Sequence, residues 1–270
     1  MKYLKTVSHL LQIVMTPLRS NWAFFTFIYL LGCICAWVTL PDARGAKLYD
    51  NLYPELFLDV YVLATILTIL PRRVKPWIRG FFYFVLYTAA VVDVYCFVKF
   101  QSTLTPTMLL LVGETDSREA GEFIRSCVSP DILMSGVGWV LLLMAVHILT
   151  AIKLRFPHFV PRNWCRLVRS ILVQSRFFLH RVRHVTEFAV LALLVLSIVM
   201  SAHNKTATLK LMTGKTIGNV EHTLTEKDHA VLYQPIYRLV FSIYANTLTA
   251  KQVDKLIATA DKVRVDSCSF

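Results

Sequence analysis

The chain has 270 residues, 56% of them hydrophobic, and carries a formal net charge of +12. A mean hydropathy of +0.54, with the apolar residues gathered into blocks, excludes an ordinary water-soluble domain and predicts a polytopic membrane protein. The surplus of Lys and Arg does not indicate nucleic acid, because these cations sit in a few segments beside apolar blocks, where the positive-inside rule accounts for them.

The N-terminus begins Met1-Lys2-Tyr3-Leu4-Lys5, but no small-residue cleavage site follows a short apolar core, so the first span is expected to stay in the mature protein. Five apolar blocks are long enough, or nearly so, to cross a bilayer: Asn21–Leu40, Glu55–Leu70, Gly80–Phe100, Ile132–Ile152 and Val185–Ala202. The second is the shortest. Lys2, Lys5 and Arg19 precede the first block, Arg72, Arg73, Lys75 and Arg79 separate the second from the third, and a long basic loop from Lys153 to Arg183 separates the fourth from the fifth. All three basic segments belong on the cytoplasmic side, so the N-terminus is expected inside and the C-terminus outside.

The outer loop between the third and fourth spans contains Thr105–Ile124. Its apolar run, Met108–Val112, is far too short to cross a bilayer, which takes about 20 residues, so it dips in or lies along the surface. Thr105 before Pro106 forms an N-cap with proline at the first helical position. Asp116 with Glu119 resembles a capping box for a second short helix, Ser117–Ile124. Glu114 and Thr115 thus fall at a break between two helices. They either complement the dipole of the second helix or form a substrate site, with the Glu114 carboxylate binding a cationic headgroup at the edge of a low-dielectric region and Thr115 adding a hydrogen bond.

Asp59 and Asp93 are acids inside spans, where ionisable residues are costly and often functional. Asp59 is near enough to the outer boundary to reach water. Asp93 is deeper, and either faces the cavity above which Glu114 sits or pairs with a cation from a neighbouring span. Glu187 near the inner boundary reads as an ordinary ion pair with an arginine, and His147 as a packed or hydrogen-bonded helix residue.

The basic loop carries Leu167, Ile171, Phe178 and Val182 at helical spacing, which predicts an interfacial amphipathic helix facing anionic lipid, or simply a determinant of topology. After Ala202 the chain turns polar and turn-rich over His203–His229. An apolar stretch to Ala245 and a helical segment over Thr249–Asp261 follow, a tail too small for a core of its own. Of the six cysteines, Cys127 and Cys268 are the two able to meet on the outer side; no metal-ligand spacing is present. Gly214-Lys215-Thr216 lacks the earlier glycine of a phosphate loop, and His203, His222 and His229 lack the close spacing of a metal site. The predicted fold is therefore an all-α membrane protein. Residues 1–202 form a five-span membrane domain with a short re-entrant or interfacial helical loop, and 203–270 form an outer helical connector.

The run Leu111-Val112-Gly113-Glu114-Thr115-Asp116-Ser117-Arg118-Glu119-Ala120 resembles the membrane domain of the phosphoethanolamine transferases, inner-membrane enzymes of Gram-negative bacteria with a sulfatase/alkaline-phosphatase-like domain outside. Glu114, Thr115, Glu119 and Ala120 match the family pattern Asn-x-x-Glu-Thr-x-x-x-Glu-Ala, while Leu111 stands at its asparagine position. The five-span layout, the basic loop and the tail around Tyr237–Ala245 are also similar. The resemblance implies a bacterial inner-membrane protein with a periplasmic C-terminus. It further implies transfer of phosphoethanolamine from phosphatidylethanolamine to lipid A or another surface glycan, with Glu114, Thr115 and Asp93 as substrate-binding candidates. In the family a zinc-bound threonine in the outer domain carries the group. No residue of that centre occurs here, so the resemblance implies a membrane-anchoring, lipid-presenting module that is truncated or split from its catalytic domain and holds no cofactor itself. The alternative from another class is a small transporter or channel with Asp59, Asp93 and Glu114 as a cation path, which the absence of an inverted repeat disfavours.

Overall fold

The structure is a computed structural model that describes residues 2–39, 51–114, 118, 121–122, 130–155, 183–213 and 233–267. The regular elements among these residues are all helices: α1 Lys2–Ser20, α2 Trp22–Thr39, α3 Leu52–Ile69, α4 Lys75–Phe100, α5 Pro106–Glu114, α6 Pro130–Leu133, α7 Gly136–Arg155, α8 Arg183–Thr213 and α9 Pro235–Ser267.

Among the described residues, four segments are long and apolar enough to cross a membrane: α2, α3, α4 and Val185–Ala202 of α8. Their surfaces suit lipid as solvent. Trp37, Trp77, Phe84 and Val199 all stand exposed, a pattern that water would penalise and hydrocarbon accepts. The expected fourth span, Ile132–Ile152, is not one helix. Ser135 interrupts it: its hydroxyl donates to the Ile132 carbonyl at 2.5 Å and accepts the Val137 N–H at 3.4 Å, closing α6 and capping α7. The remaining apolar part, Gly136–Ile152, is shorter than the four spans.

Two other boundaries differ from expectation. The helix of the last span continues beyond Ala202 to Thr213, because the polar residues there include no glycine or proline before Gly214, and Lys, Leu, Met and Ala sustain a helix whatever their hydropathy. The apolar stretch to Ala245 and the helical segment after it are a single 33-residue helix, α9, opened by Pro235. The α1 helix was not anticipated; Leu11 and Met15 are buried on it one turn apart. The amphipathic helix of the basic loop, the helix Ser117–Ile124 as a whole, and Cys127 and Cys268 lie outside the described residues.

Contacts divide the chain into two compact units. The first comprises Met1–Ile34, Tyr49–Tyr87 and Gly138–His203. Within it α1 packs on α3, with Tyr61 donating its hydroxyl to the Val14 carbonyl at 2.9 Å. Asn21, buried between α1 and α2, donates to the Ala64 carbonyl at 3.1 Å and to Thr68 at 2.9 Å. Gly32 lets Leu56 of α3 rest on the α2 backbone. His147 stacks on Phe27 with ring centres 4.3 Å apart and meets the Tyr87 hydroxyl through Nδ1 at 3.1 Å, the packed role expected of it. Glu187 pairs with Arg19 at 2.7 Å, again as expected. Asp59 is half-buried on α3.

The second unit comprises Cys35–Leu48, Thr88–Val137 and Asn204–Phe270. Val94, Leu104, Phe241 and Ala245 are buried in it, α5 packs on α9, and Gly136 allows the start of α7 to meet Val38.

Candidate functional site

The second unit holds Asp93 and the helix that ends in Glu114. The site begins where α4 ends. Gln101 closes α4 in the left-handed region at φ 55°, its N–H bonding the Phe97 carbonyl at 2.9 Å. The reversal brings the next residues back along the helix, so that Leu104 N–H donates to Asp93 Oδ1 at 3.0 Å. Thr105 then caps α5 as its sequence predicts: its hydroxyl accepts the Met108 N–H at 3.3 Å, and Pro106 occupies the first helical position.

Arg238, in the first turn of α9, forms an ion pair through Nη1 with Asp93 Oδ2. The rest of the guanidinium is also engaged, with Nη1 and Nη2 donating to Thr39 Oγ1 at 3.4 and 3.3 Å and Nη2 to the Tyr233 carbonyl at 3.5 Å. The Thr39 hydroxyl in turn donates a hydrogen bond to the Cys35 carbonyl at 2.8 Å. Asp93 and Arg238 are 0% and 1% exposed. Burying two charges is tolerable because every oxygen of the carboxylate and both terminal nitrogens of the guanidinium are used, which is the condition for offsetting the desolvation cost.

Two turns along α9 from Arg238, Asn246 Nδ2 donates to the carbonyl of Pro106, the first residue of α5, at 3.1 Å. The first turn of α9 has a second tie beside Arg238. Lys205 on α8 donates to the Tyr237 hydroxyl at 2.6 Å and lies 4.7 Å from the centre of the Tyr237 ring. Thr103 Oγ1, Ser242 Oγ and Asn246 Oδ1 are buried without a hydrogen-bond partner among the described residues.

Of the three residues expected to bind substrate, the structure therefore places Asp93 in an ion pair with Arg238, the second of the two roles open to it, although the cation comes from α9 and not from a spanning helix. Glu114 is the last described residue of α5. Its side chain, and the whole of Thr115, lie outside the described residues. Arg238 and Asn246 were not singled out as functional from sequence. The available signal was a lone cation in the apolar stretch Tyr233–Ala245, matching a lone acid in the third span, since isolated charges in apolar helices need partners. In the first unit, an open apolar hollow lined by Pro76, Trp77, Gly80, Phe81 and Phe84 carries no charged side chain to orient a ligand.

Among the described residues, no group of three or more His, Cys, Asp or Glu side chains stands together to hold a metal ion. Comparison of the chain with protein-family profiles, with characterised proteins and with solved structures gives no match.

Proposed function

We propose that this chain is the membrane-anchoring and lipid-presenting part of a phosphoethanolamine transferase. It sits in a bacterial inner membrane with its N-terminus cytoplasmic and its C-terminus periplasmic. In this reading Glu114 attracts the ammonium of phosphatidylethanolamine and Thr115 adds a hydrogen bond, while the transfer to lipid A or another surface glycan is carried out by a zinc-dependent domain working with it. The observation that carries the reading is the Glu-Thr-x-x-x-Glu-Ala pattern at Glu114–Ala120, which follows the apolar run Met108–Val112 of α5, a run too short to span a bilayer. An acid at the end of such an apolar run meets a headgroup with less screening than it would in bulk water.

The cation-path alternative loses its deepest member. Asp93 is sealed and has both carboxylate oxygens engaged, so a mobile cation would have to displace Arg238.

The test uses the chain in nanodiscs of equal parts phosphatidylethanolamine and phosphatidylglycerol, with the lipids retained around the protein identified by native mass spectrometry. Wild type should enrich phosphatidylethanolamine, and Glu114→Gln should remove most of that enrichment. Enrichment undiminished in the mutant would overturn the assignment.

A further inference from the structure

The pair between Asp93 and Arg238 joins α4 to α9 at a point where neither side chain meets solvent. A sealed pair of this kind contributes little net stability compared with well-packed apolar residues. It does restrict geometry, because sliding either helix leaves a charge unpaired in a low-dielectric interior. Leu104 N–H shares the same carboxylate, so the chain leading into α5 is fastened at that point as well.

Arg238, Ser242 and Asn246 recur every four residues and so lie on one face of α9. Asn246 meets α5 at the Pro106 carbonyl. Ser242 between them adds nothing to the hold: Thr39, Ser197, Ser201 and Thr249 each bond the carbonyl four residues earlier, whereas the Ser242 hydroxyl has no partner among the described residues. The face is thus held at its two ends, by the ion pair and by the amide.

We infer that Asp93 and Arg238 are positioning residues. Their pair sets where α9 lies along α4, and Asn246 carries that placement to α5. The helix is thereby held so that Glu114 meets a lipid headgroup at a defined place. Neither Asp93 nor Arg238 touches the headgroup. The inference rests on the reading of Glu114 as the headgroup ligand, but the fastening of α5 is measurable without it.

The full chain in the same mixed nanodiscs supplies both readouts. The double variant Asp93→Leu/Arg238→Met replaces the pair by apolar side chains and is expected to fold. Amide exchange over Met108–Val112 should then quicken by about tenfold or more, while exchange in α3 stays at the wild-type rate. Phosphatidylethanolamine enrichment should fall with it. Arg238→Lys, which keeps the charge on Asp93, should restore part of both; it also serves if the double variant does not fold. Unchanged exchange in α5 overturns the fastening. Quickened exchange with full enrichment, in a chain whose Glu114→Gln variant does lose enrichment, overturns the link from fastening to lipid. If Glu114→Gln keeps its enrichment, the headgroup reading fails and the exchange rates still decide the fastening.

Discussion

Each of the two compact units contains an acid–arginine pair between distant parts of the chain, and the two differ in how far solvent reaches them. In the first unit the Arg19 side chain is 44% exposed against a nearly buried Glu187. In the second, Arg238 and Asp93 are both sealed. Solvent beside Arg19 screens the attraction and keeps its guanidinium hydrated, so only one of the two charges is taken out of water. Around Arg238 there is no such reserve. The sealed pair is therefore the more demanding of the two, and it is completed by Thr39, the Tyr233 carbonyl and the Leu104 amide, whereas the open one is not required to be complete.

That contrast is broken or sharpened by mutation. Arg238→Ala, which strands the Asp93 carboxylate, should destabilise the protein by about 3–5 kcal/mol in detergent unfolding. A loss no larger than that of Arg19→Ala would show that the sealed pair is not the special one. Gly136→Ala asks whether apolar packing in the second unit is equally exacting. The added methyl would overlap both γ-methyls of Val38, a stiff β-branched side chain, and should cost about 1–3 kcal/mol. Gly32→Ala, facing only the flexible end of Leu56, should cost less. Equal costs at the two glycines would remove that distinction. Arg19→Ala, which removes a hydrated guanidinium from beside the buried Glu187, should cost less than Arg238→Ala, with the wild-type advantage shrinking as salt is raised. A salt-independent loss would mean that the Arg19 pair is as sealed as the other.

The legible features were local ones. The caps of α5 at Thr105 and Pro106 and the apolar helices follow from residue type and spacing within a turn or two; that His147 is packed and Glu187 ion-paired follows from residue type, but not that the partner of Glu187 is Arg19, 168 positions away. The errors came where a local signal competes with a stronger one. Ser135 ended a helix inside what hydropathy reads as one span, and helix propensity carried α8 beyond the point where hydropathy falls. Arg238, just before the apolar Leu239, Val240 and Phe241, carries no local signal that names its partner.

Composition and periodicity by themselves determined that the described residues are all-helical, with several helices fit to cross a membrane, because hydrophobic length and 3.6-residue spacing are properties of contiguous residues. They also marked Asp93 as costly, since a carboxylate in an apolar helix is costly wherever it goes. Only the tertiary structure decided what answers that cost. Arg238 lies 145 positions away, and a pairing over that distance depends on how α4, the turn at Gln101 and α9 come together, which no spacing within a single helix encodes.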